Sequence, residues 1–435
     1  MNPIPADKLP LLTLRQAATR LREGSLAPRD YALALATRIA ERDGAIEAWA
    51  AFDQGHALTL AAACEAAGAA ADAPLHGVPI GVKDIIDTTD WPTARGSAAY
   101  AGRRAERDAA VVQRLKAAGA YVFGKTVTTE FAYMHPGKTR NPWDAEHTPG
   151  GSSSGSAAAV AAGMVPAAIG TQTNGSVIRP AAFCGVVGFK PGFGLIPFTG
   201  TLQFSATLDQ LGTFTRNVAD AALFASVLAE GETIAAGVHQ RAGPPRIAVM
   251  RNYPWNRADA DAAVQFEAVL ARLQAAGAKI EPFSLPADCH DAQASHRNIM
   301  FFEAARDNAA RQKKHRAQFS ATLNAGLDEG RNITAVEYAA ALLRRAVISE
   351  QALDWFEDCD VIASPAASGV APTGLATTGD PSWCTLWSLT GFPAISLPAG
   401  KSAAGLPYGL QLAAPAGADD ALLAAALWCE RVLAA

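Results

Sequence analysis

The stretch that most constrains this chain is residues 150–190, GGSSSGSAAAVAAGMVPAAIGTQTNGSVIRPAAFCGVVGFK. Two Gly/Ser-rich turns bracket an alanine-rich helical stretch and a short apolar run. Turns of this composition fold tightly enough to set a hydroxyl beside main-chain N–H groups. The first carries Ser152, Ser153 and Ser154; the second runs from Gln172 to Ser176. A lysine closing another apolar run, Lys83 in HGVPIGVKD, completes a set of hydroxyls and an amine. Serine is a weak nucleophile until a base takes its proton. Lysine can be that base only when neutral, and burial favours the neutral form because a low dielectric penalises the ammonium. The apolar run 78–82 is a fitting place for such burial. The set therefore points to acyl transfer without histidine.

Each part has a plainer reading on its own. Lys83 can be a charged strand end, Ser152–Ser154 a linker, and Ser176 a helix N-cap. The turn at 172–176 argues for more: its composition favours consecutive N–H groups facing one way, a nest able to hold a developing oxyanion.

Half of the 435 residues are hydrophobic, enough for a large core. Helical and strand patterns alternate. Helices are expected from Thr13 to near Gly24, from Pro28 to near Gly44, and over 108–118, 154–162, 215–230 and 258–276. Three more follow to about Asp358, and a last one starts at Asp419. Strands are expected within 76–83 and over 120–123, 165–171, 246–250, 279–283, 361–364 and 394–397, with a connection at 231–245. This order predicts an α/β fold: a large, mixed, twisted β-sheet covered by α-helices on both sides. One domain is expected over 1–435, with an N-terminal helical layer (1–70), a core bearing the chemistry (71–230), and a variable helical region with strands completing the sheet (231–435).

Composition also excludes function classes. A net charge of −4 and no long basic run argue against nucleic acid, and RQKKHR at 311–316 reads as a solvated helix face. The six cysteines form no CxxC and no Cys/His metal spacing, as expected of free thiols in a reducing cytoplasm. The start of the chain lacks a signal peptide's apolar core, and its alanine-rich segments are broken by Gly, Pro and charge, so no membrane partner is expected. GAYVFGKT at 119–126 satisfies the phosphate-loop pattern literally. Its inner residues are apolar and read as a strand, and a helix precedes rather than follows it, so an NTPase reading is rejected. Lys125 is read as a structural or rim residue after that strand.

The ordered blocks PLHGVPIGVKD, GKTVTTEFA, TRNPW, PGGSSSGSAAAVAAG, GTQTNGSVIRPAAFCGVVGFKP, SATLDQLGTFTRNVAD and TGFPAISLP resemble the amidase signature family of serine hydrolases. The resemblance implies the fold above and an amidohydrolase of small-molecule amides, with carbamates as further substrates. It implies Ser176 as nucleophile, Ser152 following a cis peptide bond, and Lys83 as base. It implies oxyanion N–H groups from Thr173, Asn174, Gly175 and Ser176, with Arg179, Gly151 and Ser153 against the substrate. No cofactor is implied; a homodimer is.

Three departures narrow the branch. Gln172 stands where the commoner form has Asp, Asn174 where it has Gly, and Arg179 is displaced by one place. The TQTNGSVIRPAA form resembles the malonamidase-like branch, in which the displaced arginine reads a substrate carboxylate; the alternative for Arg179 is a structural clamp. Gln172 argues against the family's glutamine-hydrolysing subunit of tRNA-dependent amidotransferases. Phe193, Phe198, Phe204, Trp383, Trp387 and Phe392 fall in blocks near the implied cleft and are compatible with an aryl-amidase or urethanase.

Overall fold

Short apolar runs punctuated by glycine and proline become the strands of one sheet. The computed structural model describes residues 5–70, 73–231, 234 and 243–434. The strands are β1 (Trp49–Ala51), β2 (Pro79–Lys83), β3 (Tyr121–Thr126), β4 (Ala167–Gln172), β5 (Val187–Lys190), β6 (Gln210–Thr215), β7 (Arg246–Val249), β8 (Asn252–Tyr253), β9 (Asn256–Arg257), β10 (Lys279–Pro282), β11 (Val361–Pro365), β12 (Ala394–Lys401) and β13 (Pro407–Ala413). Eleven of them form a mixed sheet in the order β1-β3-β2-β4-β6-β5-β12-β13-β11-β7-β10; β8 and β9 pair separately. The helices are α1 (Leu14–Arg22), α2 (Pro28–Ile46), α3 (Gln54–Ala67), α4 (Ala110–Ala117), α5 (Ser154–Ala161), α6 (Ile178–Cys184), α7 (Val218–Leu228), α8 (Ala260–Ala275), α9 (Ala292–His315), α10 (Ala321–Gly330), α11 (Ala335–Asp354), α12 (Thr385–Thr390) and α13 (Asp419–Ala434).

The period of two along each strand divides the core between the sheet's faces. Val361 and Ala363 of β11, Ile395 and Leu397 of β12, and Leu410 and Leu412 of β13 pack with α7, α8 and α13. The alternate residues Ile362, Ala394 and Ala413 join the larger cluster on the other side. Helices therefore cover both faces, as the alternating pattern predicts. No helix of the described residues is long and apolar enough to cross a membrane.

Several elements go beyond the sequence expectation. β1, β5, β6, β8, β9 and β13, and helices α3, α6 and α12, lie outside the sequence expectation. β6 reads QLGTFT, and its Gln210, Thr213 and Thr215 are buried polar residues that hide the strand pattern. α7 starts only at Val218, where the Asn217 side chain accepts from Asp220 N, because 210–215 is strand. Most of the connection expected at 231–245 lies outside the described residues. Within GAYVFGKT, 121–126 is strand, as the sequence indicates, but Lys125 belongs to the strand and is wholly buried rather than at a rim. Its Nζ donates to Ile86 O (2.7 Å) and Thr93 Oγ1 (2.6 Å) and lies 3.7 Å from Asp84 Oδ1. A side chain so committed cannot cradle a phosphate.

What matters for the site is that β2 runs parallel to both β3 and β4. The carboxyl ends of β2 and β4 thus lie side by side, where open α/β sheets place ligands. β2 delivers Lys83 there, and β4 delivers Thr171 and Gln172.

Candidate active site

The loop 150–153 leads into α5, which needs backbone-to-backbone contact to reach the sheet. Gly155 permits it: a Cβ there would stand 2.2 Å from Ala48 O and 2.4 Å from Val127 N. The Gly151–Ser152 peptide bond is cis.

This packing sets the first hydroxyls around Lys83. Its Nζ is 2.7 Å from Ser152 Oγ, 3.0 Å from Ser153 Oγ and 2.7 Å from Thr171 Oγ1. Lys83 is fully buried, and burial holds its pKa well below the usual lysine value, opposed by the charge of Asp209. Ser153 donates to Thr171 O (3.1 Å) and receives Thr171 N–H (3.2 Å). It is wholly buried and is not among the residues lining the cavity, nor is Gly151. Ser153 therefore braces Lys83 instead of facing a substrate, and Gly151 O is taken by Arg179 Nη2 at 2.7 Å.

The second turn follows β4. Gln172 Oε1 accepts from Val177 N (2.8 Å) and Ile178 N (3.0 Å), capping α6. The capping role that a serine could have taken thus falls to Gln172, and Ser176 opens on the cavity. Thr173 Oγ1 donates to Asp209 Oδ1 (2.6 Å), and Asp209 Oδ2 accepts from Phe204 N (2.6 Å) and Ser205 N (3.0 Å). Burial raises the Asp209 pKa to about 6 against these bonds. Thr385 Oγ1 donates to Asn174 Oδ1 (2.9 Å). Asp209, Thr385, His296 and Ser388 all brace this turn and were not singled out from sequence; each is distant along the chain and carries no local signal.

Ser152, Thr173, Asn174, Gly175, Ser176 and Arg179 line one side of a cavity of about 500 Å³. Arg179 Nε donates to Thr378 O (2.8 Å) and Nη2 to Thr378 Oγ1 (3.1 Å) and Gly151 O. Its buried Nη1 has no partner among the described residues. Burial lowers its pKa to about 10, which leaves it cationic at neutral pH. Ala132, Tyr133, Met134, Phe204, Met300 and Leu375 form an apolar wall, and no Asp or Glu is among the described lining residues. Phe204 stacks on Tyr133 with centroids 5.1 Å apart. Of the six aromatics named from sequence, Phe204 alone lines this cavity. Trp383, Trp387 and Phe392 are core residues, and Phe193 and Phe198 line a separate hollow of about 120 Å³.

Two serines and a threonine-to-serine turn around one cavity, with a buried amine beside the first serine, are groups from which a serine hydrolase can be built without histidine. The amidase family profile matches residues 30–423. This chain belongs to the amidase signature family. It is 34% identical to a glutamyl-tRNA(Gln) amidotransferase subunit of Anaeromyxobacter sp. (strain K), over 99% of this chain and 98% of that protein. A crystal structure of an amidase superposes with a TM-score of 0.89 at 29% identity, covering 97% of this chain and all (100%) of the other. The corresponding glutamyl-tRNA(Gln) amidotransferase subunit of Thermotoga maritima gives 0.79 at 28% identity, covering 96% and 94%. Gln172, read from sequence, spoke against an amidotransferase; the curated relatives point toward one.

Proposed function

We propose that this member of the family hydrolyses a carboxamide C–N bond through an acyl-enzyme on Ser176. The observation that carries the reading is the environment of Lys83. A neutral amine has two N–H donors and one lone pair. The Ser153 proton is spent on Thr171 O, so the Ser153 oxygen faces Lys83 as an acceptor. Thr171 Oγ1 takes the second N–H. The lone pair is left for the proton of Ser152. Ser152 then receives the proton of Ser176 as its Oγ attacks the carbonyl carbon. The resulting oxyanion faces the N–H groups of the 173–176 turn. Collapse expels the nitrogen, which takes its proton back from Ser152. Water then adds to the acyl carbon over the same proton path and releases the acid.

Two substrates follow from two observations. Full-length identity of 33–35% to glutamyl-tRNA(Gln) amidotransferase subunits favours glutamine, hydrolysed within a complex with partner proteins. The cavity supports a second reading. Arg179, whose buried Nη1 has no partner among the described residues, lines it together with apolar side chains, and no carboxylate is among its described lining residues to face an α-ammonium. That chemistry fits an amide, or a carbamate, with one carboxylate or an apolar arm. A mass-spectrometric panel separates them: glutamine with and without the partner proteins and charged tRNA, a short amide with a free carboxylate, a neutral aryl amide and an aryl carbamate. Ammonia release from glutamine only in the complex supports the amidotransferase role. Turnover of the monoacid or aryl compounds by the chain alone supports the second reading. No turnover of any of them would refute both.

A further inference from the structure

We infer that His296 and Ser388 are positioning residues that aim the oxyanion-binding N–H groups by holding the opposite ends of their peptide planes. The inference rests on the reading of Ser176 as nucleophile. In a trans peptide unit the C=O and the N–H point in opposite directions. Three consecutive units of the turn have their carbonyls tied. Thr173 O accepts from His296 Nε2 at 3.0 Å, and the same unit carries the N–H of Asn174. Asn174 O accepts from Ser388 Oγ at 2.5 Å, and that unit carries the N–H of Gly175. Gly175 O accepts from Arg179 N at 3.0 Å, and that unit carries the N–H of Ser176. Among the described residues no acceptor takes these three N–H groups, and all three residues line the cavity.

The third plane is fixed by the first turn of α6. The first two depend on side chains from α9 and α12. A carbonyl oxygen only accepts, so His296 carries its hydrogen on Nε2. Burial lowers the His296 pKa to about 4, so it remains the neutral donor at ordinary pH. On the same face of α9, at helical spacing, Met300 lines the cavity. Glu303 follows, accepting from Ser205 Oγ (2.5 Å), Thr207 N (2.9 Å) and Tyr338 OH (2.7 Å). These bonds fix the helix that presents His296.

Ser388 is oriented as strictly. It receives Gln172 Nε2 at 3.0 Å, so its own proton goes to Asn174 O. Gln172 cannot turn over, because its oxygen already accepts from Val177 N and Ile178 N. A carboxylate at 172 would still cap α6 but would draw the Ser388 proton to itself. Gln172 and Ser388 are therefore a matched pair. Hydrogen bonds to the carbonyls also polarise each amide and strengthen its N–H as a donor.

The test is covalent labelling of the full chain by a fluorophosphonate, followed by intact mass. The Ser176 Oγ–P bond forms, the P–F bond breaks, fluoride leaves, and the serine proton passes to Ser152 and Lys83. The label develops charge on its phosphoryl oxygen, so the rate reads the N–H nest whatever the natural substrate is. His296→Leu and Ser388→Ala should each lower the maximal labelling rate about tenfold to a hundredfold, with the concentration for half-maximal rate changed less than threefold. Gln172→Glu should mimic Ser388→Ala. His296→Gln, which restores an N–H at that place, should recover most of the rate. A folded His296→Leu labelled at the wild-type rate overturns the role of His296. If that variant does not fold, wild-type rates in both Ser388→Ala and Gln172→Glu overturn the inference. Peptide mapping of the adduct tests the underlying reading separately: a label anywhere but Ser176, or undiminished labelling of Ser176→Ala, refutes the nucleophile and with it this inference, whereas a label on Ser176 at unchanged rates in the variants refutes the positioning alone.

Discussion

Lys83 Nζ lies 2.7 Å from Ser152 Oγ, and neither residue has more than 2% of its surface exposed. A lysine normally keeps its charge in water. Here the partners within hydrogen-bond distance are three hydroxyls, and no carboxylate is among them. That arrangement forgoes ion pairing at contact distance, and burial disfavours the charged form of the amine beside Ser152.

The first prediction concerns turnover. On the proposed mechanism the three form one proton path, so Ser176→Ala and Lys83→Met should each lower kcat by at least about a thousandfold, and Ser152→Ala by a comparable factor. Circular dichroism should show the fold retained. Turnover within tenfold of wild type in any one of them would remove that residue from the path.

A second prediction concerns stability against pH. The folded pKa of Lys83 is lowered by burial, so between that lowered value and about pH 10.5 the unfolded chain binds a proton that the folded chain does not. Burying this amine therefore costs stability, and the cost shrinks as pH rises from the folded pKa toward the unfolded one. The Tm of the wild type should rise more steeply between pH 7 and pH 9 than that of Lys83→Met. Parallel slopes would mean that Lys83 is charged in the fold.

Asp209 supplies the third. Its charge raises the pKa of Lys83, while its own pKa stands at about 6. Asp209→Asn keeps the shape and can still meet Thr173, Phe204 and Ser205. It removes the anion, so the ammonium form of Lys83 loses support. The acid limb of kcat/KM should move to lower pH. An unmoved limb, or one displaced upward, would show that another group titrates there.

The fourth is steric. A Cβ on Gly155 would stand 2.2 Å from one backbone atom and 2.4 Å from another, and neither can swing aside. Gly155→Ala should destabilise the protein by about 3 kcal/mol or more. Urea unfolding would show it, and a midpoint close to wild type would mean that α5 can slide.

How far the sequence reaches depends on how local each role is. The glycines and serines of 150–155 and 172–176 act locally, so their turns are legible from composition. Lys83 is legible because the apolar run before it predicts burial. His296 is not: it is an ordinary helical residue whose role arises only where α9 crosses Thr173, 123 positions earlier in the chain. β6 escapes detection because three of its six buried positions hold glutamine or threonine, which masks the apolar pattern of a buried strand. Gln172 shows the opposite error. Read as a departure from a family pattern it spoke against an amidotransferase, whereas in the fold it caps α6 and orients Ser388, a role silent about the substrate.

Arg179 decides between the remaining substrate readings. Two of its nitrogens clamp Gly151 O and Thr378, and its buried Nη1 has no partner among the described residues. If Nη1 binds a carboxylate, Arg179→Met should raise KM for a carboxylate-bearing amide about tenfold to a hundredfold, the worth of a buried charge-assisted hydrogen bond. A neutral aryl amide should then keep its KM within about twofold. If Arg179 is only the clamp, both substrates should suffer alike, mainly in kcat, because Gly151 O holds the loop that carries Ser152. Measuring both substrates on the same variant separates anchoring from bracing: a loss confined to the acid assigns Nη1 to the substrate, and an equal loss assigns all of Arg179 to the fold.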